Sequence, residues 1–435
     1  MQIGMVLTMV TGYMLHWSGV NAWVMLTSAC ILTGLIAAAI SYVSRGRLGS
    51  GTLLSYVQGV LPHWAVCIVA SALLLGYIIG PSTMTMWAAA YVSSILLHFG
   101  VASAASPHSI SVLVLLVAAI AGYCAYRGLE LSAKVSLVLG MISFPVALVI
   151  TLVAVFKQGV HIDYAAALSS MSWADLARGT FVALSFFVGF DAVCALGNET
   201  ANPIRNVPRL LAWTVILVGL TDITGVLLQT PVLLAHVADL EAGQTPSLVL
   251  IRASGWEWLY VAFDTMLCMA QLAGMIAWLN LSALIIAAAA RDGFLFRALG
   301  DVHPATGSPY KAVFLLAVLS AAIPVVYEAL APNTLLITVT YMTNVLAMYW
   351  MVAYALVCVA AMMLHHRNGV RIGRTYLASF VAVIALGFVL IMQDRHPFDA
   401  TYALTNHVGL GLLVVATVFL FLATRQRQEV LKALA

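Results

Sequence analysis

Long apolar runs recur along almost the whole chain, and they constrain its fold more than any other feature of the sequence. A helix needs about 20 residues to cross a hydrocarbon layer of roughly 30 Å. Runs that approach or exceed this length cover residues 3–16, 23–42, 64–97, 110–126, 135–156, 181–196, 210–234, 258–290, 312–327, 335–364, 376–392 and 407–424. The pattern predicts an all-α polytopic membrane protein with about 12 transmembrane helices.

The composition supports a lipid bilayer as the environment of this chain. Hydrophobic residues make up 63% of the 435 residues and charged residues only 8%, whereas a soluble domain carries about 25% charged residues. The net charge of +3 is too small to indicate a nucleic-acid partner. The six cysteines stand singly, without a Cys-x-x-Cys spacing, so the sequence predicts no metal site, disulfide framework or cofactor.

The basic residues between the runs fall mainly on one side of the membrane. When the connections are assigned to alternate sides, only Lys157, Arg178, Arg252 and Arg395 of the 19 Lys and Arg residues lie on the other side. Short cytoplasmic loops carry an excess of Lys and Arg. The distribution therefore predicts a multi-pass protein of the cell membrane whose C-terminus faces the cytoplasm.

The sixth run carries the signature of an interrupted helix. Its core reads Ser185-Phe-Phe-Val-Gly-Phe-Asp191, in which Gly189 permits irregular backbone angles beside an acidic residue. Unwound backbone at membrane depth is tolerated only where protein or a water-filled cavity surrounds it. An unwound turn here would offer amides to a carboxylate and carbonyls to an ammonium group. The alternative interpretation is that Gly189 serves helix packing.

Two later segments read as cytoplasmic loops. The first is Asn202-Pro-Ile-Arg-Asn-Val-Pro208, in which Pro203 and Pro208 are expected to stop the helix. The second begins where Ala290-Arg-Asp-Gly293 ends the eighth run, and it continues through His303-Pro-Ala-Thr-Gly-Ser-Pro309.

These two segments, together with Gly189-Phe-Asp191, resemble the amino acid permeases of the amino acid, polyamine and organocation superfamily. The resemblance covers nearly the whole chain and is strongest over residues 181–309. It implies a fold of two inverted five-helix repeats plus two C-terminal helices, with a substrate site between the broken first and sixth helices. In a single transporter domain, the repeats would cover residues 1–156 and 176–364, and the extra helices residues 375–424.

The resemblance also implies which residues contact the substrate: Ile3, Gly4, Met5, Ser185, Phe186, Phe187, Val188, Gly189 and Phe190. Family spacing places Gly4 at the break of the first helix, so that the inner half of this helix would precede Met1. The first helix is therefore expected to be N-terminally truncated, either because the native start lies upstream or because the first span is shortened. A lysine through which some members couple to protons aligns with Ser143 here.

Asp191 and Asp222 are the two intramembrane carboxylates that the sequence singles out. A charged residue at the centre of a membrane helix costs about 2.5 to 3.5 kcal/mol on insertion scales. Each is a candidate for proton coupling or for pairing with a substrate ammonium group. The structural alternatives are that Asp191 pins an unwound backbone and that Asp222 bonds to a neighbouring helix. Asp264, near the outer end of the eighth span, is expected at an outer vestibule or a helix interface.

Together these features predict secondary active transport of amino acids, or of a related small amine, by proton symport or exchange through alternating access. No Walker A sequence occurs, and no convergent catalytic set is evident, so neither an ATP-driven pump nor an enzyme is predicted. Two alternatives stay open. One is sodium-coupled symport on the same fold, with Ser282 as a candidate ligand, and the other is a transport-inactive membrane sensor.

Overall fold

A computed structural model describes residues 10–45, 53–127, 131–158, 161–199, 202–241, 244–291, 293, 295–304, 307–331, 335–369 and 373–434. These residues form helices and loops, and they contain no β-strand. The α-helices are α1 (Thr11–Ser18), α2 (Ala22–Ser44), α3 (Leu53–Val57), α4 (His63–His98), α5 (Pro107–Tyr126), α6 (Leu131–Gln158), α7 (Tyr164–Ser169), α8 (Trp173–Leu184), α9 (Pro203–Ala235), α10 (Val237–Glu241), α11 (Pro246–Ser254), α12 (Tyr260–Arg291), α13 (Tyr310–Leu330), α14 (Leu335–Arg367), α15 (Arg374–Arg395) and α16 (Ala400–Leu434).

Within the described residues, ten helical segments are long and apolar enough to cross a membrane. The first of them, Thr11–Ser44, joins residues 11–16 of the first predicted run to the second predicted run, because α1 continues into α2 through the 3-10 turn Gly19–Asn21. The sixth predicted run is not among the ten because it is not one continuous helix. These two departures explain the difference from about 12, and the prediction of an all-α polytopic protein is confirmed.

One predicted loop is wrong in part. The segment with Pro203 and Pro208 is not a loop throughout, since α9 begins at Pro203 and continues through Pro208. The carbonyl of Asn202 accepts hydrogen bonds from the amides of Arg205 and Asn206, both at 3.0 Å. Proline is well suited to the first position of a helix, where its missing amide proton would have no partner. Pro203 therefore starts a helix, although the sequence pattern predicts that it stops one.

The chain divides into two compact units, each assembled from separate stretches of sequence. The first unit contains the stretch that ends at Val20, together with Tyr77–Ala165 and Thr224–Thr343. In this unit α12 packs against α5, α6 and α13, while α11 lies on α6. Tyr260 and Phe263 of α12 belong to its buried apolar centre.

Two aromatic side chains hold α1 within the first unit. The Tyr13 hydroxyl donates to the carbonyl oxygen of Thr340 at 3.4 Å, and the Trp17 indole nitrogen donates to the Thr340 hydroxyl at 3.3 Å. Aromatic residues with polar tips need such acceptors when they are buried. The predicted site residues Ile3, Gly4 and Met5 lie outside the described residues, so the break and the truncation of the first helix stay predictions.

The second unit contains Asn21–Gly76, Ala166–Ile223 and the stretch that begins at Asn344. In this unit α2 packs against α8 and α15, and α15 also lies on α8. The whole sixth span belongs to this unit. Each compact unit contains stretches of both predicted repeats. The repeat boundaries at residues 1–156 and 176–364 therefore stay predictions.

Candidate substrate site at the sixth span

The helix that leads into the sixth span starts outside the apolar run, at a capping box. Ser172 Oγ accepts the amide of Asp175 at 3.1 Å, and the Asp175 carboxylate accepts the amide of Ser172 at 3.2 Å. These bonds satisfy two amides at the start of α8 that have no partner within the helix. The Ser172 hydroxyl also donates to the Asp175 carboxylate, and this bond lowers the pKa of Asp175.

The sixth span is broken. α8 ends at Leu184, and a 3-10 turn covers Ser185–Phe187. Val188 has an extended ψ of 135°, Gly189 has a φ of 84°, and a 3-10 helix then runs over Phe190–Glu199. A positive φ carries no steric penalty for glycine because it lacks a Cβ atom. The prediction of a break within residues 187–191 is confirmed.

The break leaves backbone amides at the start of the outgoing helix. Its first intrahelical hydrogen bond joins the Ala192 amide to the Gly189 carbonyl at 3.0 Å. Among the amides that precede Ala192, that of Asp191 interacts with its own carboxylate, and the earlier ones lie ahead of the intrahelical ladder, as at any helix start. Such a start carries partial positive charge and favours anions. The local polarity is the one that a substrate carboxylate requires.

The predicted contacts at residues 185–190 lie together at this break. The side chains of Phe187, Val188 and Phe190 are buried, and that of Phe186 is partly exposed. Ser185 is buried too, and its hydroxyl donates to the Val182 carbonyl at 2.6 Å. The Ser185 hydroxyl is thus engaged within its own helix. The role of these residues in substrate binding stays a prediction.

Asp191 is anchored to α14. Its Oδ1 accepts a hydrogen bond from the Tyr354 hydroxyl at 2.7 Å and from the Trp350 indole nitrogen at 3.3 Å. All three side chains are buried. Burial of a carboxylate is tolerated where donors replace its lost hydration, and α14 supplies them here. This geometry suits the interpretation in which Asp191 pins the unwound backbone, while titration of Asp191 or its pairing with an ammonium group stays a prediction.

Trp350 and Tyr354 belong to none of the motifs recognised in the sequence. The two residues are four positions apart on α14, so they project from the same face of the helix. Aromatic residues with polar tips, placed in this way within an apolar run, signal hydrogen bonds made inside the protein. The sequence shows that signal, but it does not show which acceptor the donors meet.

Asp222 has a different environment. It lies on α9 with 0% of its surface exposed, and neither carboxylate oxygen has a hydrogen-bond partner among the described residues. The thiol of Cys30 on α2 is close enough to interact electrostatically with the carboxylate. That thiol donates to the Val215 carbonyl, at a sulfur-to-oxygen distance of 3.7 Å. One expectation for Asp222 is a hydrogen bond to a neighbouring helix. No side chain or backbone group among the described residues makes that bond.

Asp264 is buried and hydrogen-bonded. The Ser247 hydroxyl on α11 donates to its carboxylate at 2.7 Å, and the carboxylate is 0% exposed. The hydroxyls of Ser94 and Tyr260 share a hydrogen bond beside it. Asp264 therefore lies at a helix interface, which is one of the two positions expected for it.

Long apolar helices and a span interrupted at a glycine with positive φ define an α-helical polytopic membrane protein with irregular backbone within one of its apolar runs. The family model described as amino acid permease matches residues 1–427, so the chain belongs to the amino acid permease family. The predicted resemblance to the amino acid permeases is thereby confirmed. The chain is a multi-pass membrane protein.

One curated protein and one solved structure are similar to this chain. The branched-chain amino acid permease BcaP of Bacillus subtilis is 22% identical over 287 residues, which are 62% of this chain and 60% of BcaP. The match thus spans about 60% of the length of this curated relative. The crystal structure of MhsT in complex with L-phenylalanine matches 90% of this chain and 96% of its own, with a TM-score of 0.58 and 12% identity. At that identity the likeness shows a shared fold.

Proposed function

We propose that the protein moves amino acids across the cell membrane by secondary active transport. The observation that carries this proposal is the break of the sixth span at Val188 and Gly189, next to an anchored acidic residue. Membership of the amino acid permease family supports it. The name of BcaP and the L-phenylalanine bound to MhsT favour amino acids over simple amines.

In the proposed site, the amides that precede Ala192 bind the substrate carboxylate, and carbonyls freed by the break accept from its ammonium group. Residues 185–190 would contact the substrate together with Ile3, Gly4 and Met5 of the first helix. Residues 185–190 include no Lys, Arg, Asp or Glu. They therefore offer no partner for a charged substrate side chain, and we expect substrates with uncharged, mainly apolar side chains.

Proton symport and exchange are both consistent with this site, and Asp191 and Asp222 are the proposed groups for proton coupling or ammonium pairing. Sodium-coupled symport is the alternative on the same fold, and a transport-inactive sensor is the alternative from another class. The C-terminus is proposed to face the cytoplasm.

Uptake into proteoliposomes tests the proposal. Vesicles that contain the purified protein are loaded with unlabelled L-leucine, and entry of labelled L-leucine is followed against protein-free vesicles. A panel of unlabelled amino acids and amines then competes for entry. Replacement of sodium by potassium separates sodium coupling from the other modes, and vesicles without internal L-leucine separate symport from obligatory exchange.

We expect labelled L-leucine to enter only in the presence of protein, without a need for sodium, and to be displaced by amino acids with apolar side chains. Binding of L-leucine without any entry would identify the sensor instead. A complete absence of both binding and entry for the whole panel would contradict the proposal.

A further inference from the structure

Asp222 is a buried carboxylate that the described part of the structure leaves without a hydrogen-bond donor. The buried residues Leu211, Val215, Asp222 and Val226 follow one another at helical spacing along one face of α9. The side chain therefore points into the protein and not toward lipid. None of the ion pairs within the described residues involves it.

The side chains that pack against α9 near Asp222 are mainly apolar. A Cβ atom built on Gly219, one turn before Asp222, would lie 2.2 Å from the Cys30 sulfur and 3.7 Å from the Phe187 ring. Cys30 of α2 and Phe187 of the sixth-span break therefore both lie against α9 at Gly219. Among the described groups facing Asp222, the Cys30 thiol is the titratable one, and it already donates to the Val215 carbonyl.

An ionised carboxylate in such surroundings is strongly disfavoured, and a buried group of this kind neutralises by binding a proton. Asp191 and Asp264 differ from Asp222 in this respect. Asp191 accepts bonds from Tyr354 and Trp350, and Asp264 accepts a bond from Ser247. Donors replace part of the lost hydration of these two carboxylates, although Asp264 Oδ2 has no partner among the described residues. Neither oxygen of Asp222 has a partner among them, so protonation is what relieves the penalty there.

We infer that Asp222 carries the proton of the transport cycle and that Asp191 is the positioning residue that holds the sixth-span break. This inference rests on the proposed amino acid transport and narrows its coupling to proton symport. Asp222 takes up a proton from water on one side of the membrane and returns it to water on the other side. The carboxylate O–H bond is the one bond that forms and breaks, and no electron is transferred.

Accumulation and exchange of L-leucine, measured in the same proteoliposomes, test this inference. Wild type, Asp222→Asn and Asp264→Asn are compared with the external pH one unit below the internal pH. One symported proton then supports accumulation of L-leucine to about tenfold at most, since one pH unit corresponds to a tenfold ratio. Exchange of internal for labelled L-leucine at equal pH reports transport that needs no proton gradient.

We expect wild type and Asp264→Asn to accumulate L-leucine, and Asp222→Asn to exchange it without accumulation above the external concentration. Accumulation by Asp222→Asn at the wild-type level overturns the inference. Exchange by wild type without any pH-driven accumulation also overturns it but leaves the proposed function standing, whereas a wild type that neither exchanges nor accumulates removes both. If Asp222→Asn does not fold, Asp222→Ser decides, because accumulation at the wild-type level by a variant without a carboxyl group contradicts the role of Asp222.

Discussion

The hydroxyl of Tyr354 on α14 donates a 2.7 Å hydrogen bond to the carboxylate of Asp191, the second residue of the 3-10 helix that follows the break. The same carboxylate oxygen accepts from Trp350, one helical turn earlier on α14. These bonds fix the start of the outgoing helix from outside the sixth span. The geometry of the break therefore depends on a helix that supplies none of the predicted substrate contacts.

Removal of the Tyr354 hydroxyl is expected to weaken both stability and transport. Hydrogen bonds to charged groups contribute about 1.5 to 3 kcal/mol, so we expect Tyr354→Phe to lower the free energy of unfolding by a value in this range. The uptake rate of L-leucine should fall at least several-fold because the break loses its anchor. Thermal unfolding in detergent and initial uptake rates in proteoliposomes measure the two effects.

Tyr349 on the same helix provides a matched control. Its buried hydroxyl donates to the Gly409 carbonyl at 2.8 Å and has no part in the bonding of Asp191. We expect Tyr349→Phe to lose about 0.5 to 1.5 kcal/mol, as for a neutral hydrogen bond, and to keep its transport rate. Equal uptake rates for the two variants would show that the Asp191 anchor does not matter for transport.

Gly189 is the residue at which any side chain should damage the site. Its φ of 84° is in the left-handed region, where an L-residue with a Cβ atom pays roughly 1 to 2 kcal/mol. Gly189→Ala is expected to shift the backbone at the break and to abolish most L-leucine uptake. Gly387→Ala on α15 is the control, because a Cβ there has open space around it. Uptake by Gly189→Ala at the rate of Gly387→Ala would contradict this view of the break.

The sequence predicts the helices and the break for local reasons. Apolar runs define helices such as α12, predicted at residues 258–290 and observed at Tyr260–Arg291, because a lipid environment requires them to be long. Gly189 identifies the break because no other residue in its segment adopts a positive φ so easily.

The anchoring of Asp191 could not be predicted from local pattern. Tyr354 is 163 residues away from Asp191, and no spacing rule connects two helices across that separation. The sequence does not predict the start of α9 for a different reason. Pro203 is compatible with both a helix stop and a helix start, and the hydrogen bonds accepted by the Asn202 carbonyl decide between them.

The distribution of basic residues predicts that the C-terminus faces the cytoplasm. In intact cells, a membrane-impermeant maleimide should therefore fail to label Lys432→Cys and should label it after the membrane is permeabilised. Arg252→Cys is the control on the opposite side, since Arg252 is exposed and belongs to the small group of basic residues assigned to the outside. Labelling of Lys432→Cys in intact cells would reverse the predicted orientation.

We propose that backbone amides at the sixth-span break bind the substrate carboxylate. The most direct test is competition for labelled L-leucine uptake by unlabelled L-leucine and by 3-methylbutylamine, which has the same side chain and amino group but no carboxylate. Loss of hydrogen bonds to a charged group, at about 1.5 to 3 kcal/mol, predicts that the amine competes roughly tenfold to a hundredfold less strongly than L-leucine. Equal competition by the two compounds would contradict the claim.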